Sequence, residues 1–179
     1  MLHDIPAGDP KKEVNVIIEI PMGGGIKYEY DKDKQVIAAN RLLYTAFRYP
    51  FNYGFIPSTW SGDDDPLDIV VLSSESISTG TLIECRVIGL LQAEDEEGED
   101  TKVIAVPKAK VDPAFANIND TADIPDYLKD KLRHFFENYK SIEPGKWVKV
   151  TDWLGKDEAI KVVEESILRY QKHFPPSSP

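Results

Sequence analysis

The chain has 179 residues, of which 41% are hydrophobic and 29% charged, and its formal net charge is −10 at pH 7. This length suits a single domain over 1–179, and the acidic balance argues against a sequence-independent nucleic-acid binder, which needs a basic surface. The sequence shows no membrane-spanning apolar run and no signal segment, and the single Cys85 excludes an internal disulfide. We therefore expect a cytoplasmic protein without membrane or nucleic-acid partners.

The N-terminal third is predicted to be β-structure. After an irregular lead-in over 1–13, apolar residues predict strands over 14–20, 26–30 and 36–38, separated by glycines and a charged turn. Glu19 shares a strand face with Ile17, so its carboxylate either reaches solvent at the strand end or serves a site. Lys27 and Glu29 share the polar face of the second strand, where an exposed pair is the commoner situation.

An aromatic segment over 44–55 follows, and Arg41 precedes it. Most of its rings are expected in the core, because aromatic clusters usually bury area. Tyr49 and Tyr53 also carry hydroxyls that need partners when buried. They serve either the core or a site, where they would orient a water or a phosphate oxygen.

Two acidic clusters dominate the middle of the chain. Four aspartates fall within 63–68, directly before an apolar run over 69–72 that is typical of a buried strand. Six acids fall within 94–100, between predicted hairpin strands over 82–91 and 102–106. The first cluster is no EF-hand loop, because Asp68 stands where glycine is needed and Ser74 where glutamate is needed. Each cluster alone suits a solvated turn, but two together favour a site for hard divalent cations.

The C-terminal third is predicted to be mainly helical. A helix beginning at Pro125 places Leu128, Leu132, Phe135, Phe136 and Tyr139 on one stripe, with Asp126 and Lys140 suiting the helix dipole. By spacing alone, Tyr139 belongs to the core. A strand over 147–150, a helix over 157–173 with Ile160, Val163, Ile167 and Tyr170 facing inward, and a frayed tail over 175–179 complete the chain. The three histidines are scattered, and no P-loop or nucleophile elbow occurs.

These residue types together suit one chemistry. Carboxylates bind hard metals, while lysines, an arginine and tyrosines can hold phosphoryl oxygens. Two metals would lower the pKa of a water and clamp the attacking and leaving oxygens of a displacement at phosphorus. Two other classes remain open at this point, namely a metal-dependent phosphodiesterase acting on nucleic acid and a non-enzymatic cation-binding module. The acidic net charge disfavours the first, and the cations and tyrosines are unexplained by the second.

The segment 63–68 resembles the D-x-D-P-x-D signature of soluble family I inorganic pyrophosphatases. The resemblance extends over nearly the whole chain, and the length is similar to that of bacterial members. It implies an α+β, mainly β fold, built as a small five-stranded OB-like barrel with flanking helices. Its supporting blocks lie at 14–20, 26–29, 49–54, 95–100 and 134–140.

The resemblance also implies the role of each site residue. Asp65 would be the general base that accepts a proton from a metal-activated bridging water, with Tyr53 as a second catalytic residue. The residues implied to bind metal are Asp63, Asp68 and Asp100 for a first ion, Asp68 also for a second, Asp95 with Asp100 for a further one, and Glu19 through water. The residues implied to bind substrate are Lys27, Arg41, Tyr53, Tyr139 and Lys140. The residues implied to support them are Glu29, Tyr49, Glu96 and Lys102.

Cofactors and assembly are implied in the same way. The resemblance implies several Mg²⁺ ions per active site, with Mn²⁺ or Zn²⁺ as substitutes and Ca²⁺ as an inhibitor. It implies pyrophosphate as a small-molecule substrate and a homohexamer of two stacked trimers. Two positions depart from the family pattern: Asp64 stands where glycine is frequent, and Asn138 stands where some bacterial members carry a histidine near a subunit contact.

Overall fold

The structure, a computed structural model, describes residues 2–62 and 64–175, with only the backbone described for His3. The predicted metal ligand Asp63 lies outside the described residues, as does the predicted frayed tail apart from Pro175. The lead-in is less irregular than expected. It contains a 3-10 turn at Leu2–Asp4 and a β-bridge between Gly8 and Val14.

Among the described residues, eight strands come first, and two α-helices with a ninth strand between them follow. In chain order they are β1 Val14–Ile20, β2 Ile26–Asp31, β3 Val36–Leu42, β4 Asn52–Ile56, β5 Leu67–Val71, β6 Leu82–Asp95, β7 Gly98–Glu99, β8 Lys102–Pro107, α1 Asp126–Asn138, β9 Val148–Leu154 and α2 Lys156–His173. No helix among the described residues is long and apolar enough to cross a membrane.

Five of the strands close on themselves. The pairing runs β1–β4–β5–β8–β6, and β6 pairs again with β1 through Val14 opposite Cys85. All of these pairs are antiparallel except β5–β8, which is parallel. Closure removes the open edges that a flat sheet would present. The predicted five-stranded barrel and the mainly β class are therefore confirmed.

Two apolar clusters attach the helices to the barrel. Leu132, Phe135 and Phe136 of α1 pack with Phe51 and neighbouring barrel residues. Ala159 and Val163 of α2 pack on a second face of the barrel, formed by alternate residues of its strands. The long β6 extends beyond the ring, where it pairs with β9 and the short β7. The strands β2 and β3 form a separate antiparallel pair.

Several predicted bounds were wrong. β4 was not predicted, β3 continues to Leu42, β6 continues to Asp95, and the strand expected over 147–150 runs from Val148 to Leu154. The buried stripe of α2 is Ala159, Val163 and Ser166, whereas Ile160, Ile167 and Tyr170 are only partly buried. Lys140 lies just beyond the end of α1, and the last turn of the helix itself contains no basic residue.

Candidate active site

One cavity of about 410 Å³ collects the predicted site. Its lining includes every residue to which the sequence analysis gave a role except Asp63, which lies outside the described residues. Four aspartates from the two acidic clusters therefore lie in one concave site. The described members of this set are Asp65, Asp68, Asp95 and Asp100.

The parallel pair β5–β8 brings the two clusters together. Ile69 is the register partner of Val103, so Asp68 and Lys102 lie at the same edge of the sheet. The Lys102 ammonium contacts Asp68 Oδ2 at 2.9 Å and Asp100 Oδ1 at 2.8 Å. It also lies 5.3 Å from the centre of the Tyr53 ring. Burial lowers the pKa of Lys102, but Asp68 and other neighbours outweigh it and raise this pKa well above its ordinary value.

A second group of charges lies at the tip of the β6–β7 hairpin. Lys140 Nζ donates to Asp95 Oδ2 at 3.0 Å and to Glu96 Oε2 at 3.1 Å. Lys146 lies 2.6 Å from Glu96 Oε1. Burial opposes ionisation of Glu96, but hydrogen bonds from Lys146, the backbone and Lys140 lower its pKa to about 2. The acidic tip is therefore held by two lysines and is not simply solvated.

The β2–β3 pair supplies cations from another side. Lys27 and Arg41 are register partners, and both line the cavity. Like charges opposite one another on a sheet are destabilising unless they are compensated. Lys27 has Glu29 at 2.6 Å, and Glu29 in turn accepts from Asn40 Nδ2 at 2.6 Å. Asn40 is the extra residue of a bulge in β3, where the register shifts.

Glu19 is buried because a second bulge falls beside it. The register of β1 against β4 shifts between Ile18 and Ile20, and the Glu19 carboxylate accepts from the Tyr30 amide at 2.7 Å. Burial, with a further contribution from Asp68, raises the pKa of Glu19 to about 8. Of the two interpretations of Glu19, the one in which its carboxylate reaches solvent at the strand end is therefore wrong.

Three of the tyrosines that line the cavity, Tyr49, Tyr53 and Tyr139, are buried in an aromatic cluster. Tyr49 contacts both Tyr53 and Tyr139, with ring centres 6.0 Å and 6.2 Å apart. Burial raises the pKa of both Tyr49 and Tyr53. Their hydroxyls therefore stay protonated and can donate hydrogen bonds into the cavity. Core and site functions are combined in these residues.

The loop that carries the first cluster is tied to the β2–β3 turn. Lys32 Nζ donates to Asp65 Oδ1 at 2.6 Å and to the Asp64 carbonyl at 2.9 Å. The same ammonium lies 4.8 Å from the centre of the Trp60 ring, and His173 from α2 stacks on Trp60 at 4.7 Å. The loop is thus held by groups from distant parts of the chain.

Hard metal ions suit the donor chemistry of the cavity. Carboxylate oxygens are the ligands that Mg²⁺ and Mn²⁺ prefer. Asp68 and Asp100 already converge on one positive charge, the Lys102 ammonium. Among the described residues, no three acidic, histidine or cysteine side chains form a complete metal-binding group. The predicted ligand Asp63 is outside that set.

Sequence reasoning did not single out four contacts of the site. They are Lys32, Asn40, Glu143 and Lys146. Lys32 and Asn40 lie in a charged turn and a short strand that gave no local sign of function. The spacing Lys140, Glu143, Lys146 was a usable signal, because the structure joins these residues by successive i→i+3 turns. Such turns place all three on the same side of the segment.

The sequence matches the family model described as inorganic pyrophosphatase over residues 16–171. The chain belongs to the inorganic pyrophosphatase family. The inorganic pyrophosphatase of Aquifex pyrophilus is 49% identical over 170 residues, covering 94% of this chain and 96% of the relative. That of Saccharolobus solfataricus is 52% identical over 164 residues, covering 92% and 95%.

The fold agrees with the family assignment. The crystal structure of the inorganic pyrophosphatase from Thermus thermophilus superposes with a TM-score of 0.91 at 46% sequence identity, covering 95% of this chain and 98% of that one. Enzymes of the inorganic pyrophosphatase family are generally metal-dependent, which agrees with the carboxylate-rich cavity. Family membership favours this interpretation over the phosphodiesterase and the cation-binding module.

Proposed function

We propose that the chain hydrolyses inorganic pyrophosphate to two orthophosphates, in a Mg²⁺-dependent reaction with Asp65 as the general base. Family membership makes the chain an inorganic diphosphatase; the proposal adds the metal and the residue roles. The observation that supports it most is one cavity whose lining combines carboxylates from both acidic clusters with lysines and an arginine. A small, highly charged anion with bound divalent cations is complementary to both kinds of group.

The carboxylates of the cavity would hold the metals. Asp63, Asp68 and Asp100 would bind the first ion, with Asp68 shared by a second. Asp95 with Asp100 would bind a further ion, and Glu19 would act through water. When bound, the ions lower the pKa of a water and neutralise charge on phosphoryl oxygens. Mn²⁺ or Zn²⁺ would substitute for Mg²⁺, whereas Ca²⁺ would inhibit, because it accepts looser and higher coordination.

The cationic and tyrosine side chains of the cavity would hold the substrate. Lys27, Arg41 and Lys140 would bind the phosphoryl oxygens, and the hydroxyls of Tyr53 and Tyr139 would donate to them. Glu29, Tyr49, Glu96 and Lys102 would support these groups through the contacts described above. Asp65 would take the proton of the attacking water, since its carboxylate faces the cavity and is the most exposed of the four described aspartates.

Substrate and metal preference are tested together. We expect orthophosphate release from pyrophosphate with Mg²⁺ and Mn²⁺, with little release from ATP and no cleavage of a DNA oligonucleotide. Adding Ca²⁺ to the Mg²⁺ enzyme should inhibit it. Cleavage of DNA at a rate similar to that of pyrophosphate would favour the phosphodiesterase, and turnover with Ca²⁺ equal to that with Mg²⁺ would contradict the metal roles.

Two matched variants distinguish the general base from a metal ligand. Asp65→Asn keeps the size of the side chain but removes the proton acceptor, so turnover should fall by about 10²–10⁴-fold with little change in metal affinity. Raising the pH should restore part of this activity. Asp68→Asn should instead weaken Mn²⁺ binding, measured by titration. Near-normal turnover of Asp65→Asn at neutral pH, or equal loss of metal binding in both variants, would disprove the role of Asp65.

The assembly and the location complete the proposal. We propose a homohexamer of two stacked trimers, supported by the large apolar side chains of Leu42, Tyr44 and Ile142 on the surface of this chain. A cytoplasmic location is supported by the single, buried Cys85. Sedimentation velocity tests the assembly, and a monomer at micromolar concentration would contradict it.

A further inference from the structure

Glu143 is a buried carboxylate that lies beside the cavity without lining it. Its Oε1 atom is 3.4 Å from Arg41 Nε, and both side chains are largely covered. Neither of these two buried atoms has a hydrogen-bond partner among the described residues. The pair is therefore held by charge, with hydrogen-bond geometry that is not ideal.

Burying Glu143 is costly for the fold. A carboxylate taken out of water loses much of its solvation, and a single ion pair with poor geometry does not fully offset this loss. The backbone explains how the residue is held there. The Glu143 amide donates to the Lys140 carbonyl at 3.0 Å, and its carbonyl accepts from the Lys146 amide at 3.1 Å. The segment that brings two lysines to the cavity thus also delivers this carboxylate.

Glu143 contacts Arg41 at Nε, the guanidinium nitrogen that is bonded to the aliphatic part of the side chain. A guanidinium group is planar, so a carboxylate at Nε limits the orientation of the whole group. The two terminal nitrogens make no hydrogen bond to a described residue, and Arg41 lines the cavity opposite Lys27. They are therefore available for a phosphoryl group, which the planar fork can bind through two hydrogen bonds.

We propose that Glu143 is a positioning residue that orients Arg41 for the phosphoryl group of the substrate. The inference rests on the proposed function, because Arg41 is assigned there to substrate binding. Glu143 touches neither the cavity nor the reacting atoms, so it acts only through Arg41. The arrangement parallels that of Lys27, whose partner Glu29 lies at 2.6 Å on the same strand.

A double-mutant cycle on Arg41 and Glu143 tests the proposal. Glu143→Gln keeps an oxygen acceptor but removes the charge. We expect KM for pyrophosphate to rise about tenfold with kcat within about twofold, because Arg41 would no longer be oriented for its charged hydrogen bonds to the phosphoryl group. Arg41→Lys keeps a cation beside Glu143 but has no planar fork. In that background, Glu143→Gln should change KM less than twofold, because the two residues act as one unit.

Two further variants complete the experiment. Asp130→Asn removes one exposed acidic charge from α1, so it controls for net charge and should leave KM unchanged. Glu143→Asp keeps the charge but moves it away from Arg41 Nε, so it should also raise KM several-fold. Glu143→Gln has the same size and buries no charge, so it is the variant expected to keep the fold. Melting temperatures are measured for every variant.

Specific results would overturn the inference. They are an unchanged KM in Glu143→Gln or Glu143→Asp, or an equal effect of Glu143→Gln in the wild-type and Arg41→Lys backgrounds. A variant that loses only melting temperature would show a structural role. These outcomes differ from failure of the proposed function, which would appear as wild-type protein that does not release orthophosphate from pyrophosphate.

Discussion

Asp64 has a backbone conformation that glycine adopts more easily. Its φ is +63°, in the left-handed region that favours glycine. Aspartate tolerates this region better than most residues, because its short side chain can bond locally. Asp64→Ala should therefore lower the free energy of unfolding by about 1 kcal/mol, whereas Asp64→Gly should not lower it. Urea denaturation measures both, and equal loss in the two variants would show that backbone strain is not the cause.

Glu19 predicts a pH-dependent stability in the metal-free protein. Its pKa is about 8 in the folded chain, raised from 4.5 chiefly by burial. In the unfolded chain Glu19 ionises near its ordinary pKa of 4.5. The stability that this carboxyl contributes is therefore complete below about pH 4.5 and is lost as the pH rises to about 8. Glu19→Gln is never ionised. In EDTA its melting temperature should match wild type at pH 4.5 and exceed it at pH 8.5.

Added Mg²⁺ should reverse the order of the two melting temperatures at pH 8.5. An ionised Glu19 that supports a metal would give the wild type a larger rise in melting temperature than Glu19→Gln. If the two proteins melt together at both pH values in EDTA, the carboxylate is not buried as the structure has it.

At the scale of elements, the β2–β3 turn should restrain the first acidic loop. Lys32 contacts Asp65, the Asp64 carbonyl and the Trp60 ring, which together fix the loop from one side. Lys32→Met should therefore speed hydrogen exchange of the amides of 60–62 and 64–65 in metal-free protein. Lys34→Met is the matched control, because Lys34 lies in the same turn but pairs with Asp31. Equal exchange rates in the two variants would contradict the restraint.

Elements with a strong local pattern were predictable, and those set by tertiary pairing were not. The run Val14–Ile20 is rich in β-branched residues, and its predicted bounds match the strand. β4 was missed because its residues lie among prolines and include Gly54, which suggest a loop. β6 continues through Glu94 and Asp95 against their strand propensity, because β9 pairs with it there.

At the scale of the whole molecule, the membership of the cavity was predictable but its internal contacts were not. The acidic clusters and the cations indicated metal and phosphoryl chemistry through residue types alone, while the resemblance supplied the role of each residue. The position of Lys102 between Asp68 and Asp100 depends on the parallel pairing of β5 with β8, which no local pattern shows. The Arg41–Glu143 contact likewise joins residues far apart in sequence.

Closure of the barrel depends on Gly54, which gives the last prediction. A Cβ atom built on Gly54 would lie 1.9 Å from the Ile17 carbonyl oxygen of β1, a backbone atom that cannot move without opening the β1–β4 pair. Gly54→Ala should therefore lower the free energy of unfolding by about 3 kcal/mol, the upper range for overpacking. It should also reduce activity, since β1 and β4 carry Glu19 and Tyr53. Gly62→Ala is the control, because its Cβ meets nothing within 4 Å. Urea denaturation compares the two, and equal stability would show that β1 and β4 can separate at little cost.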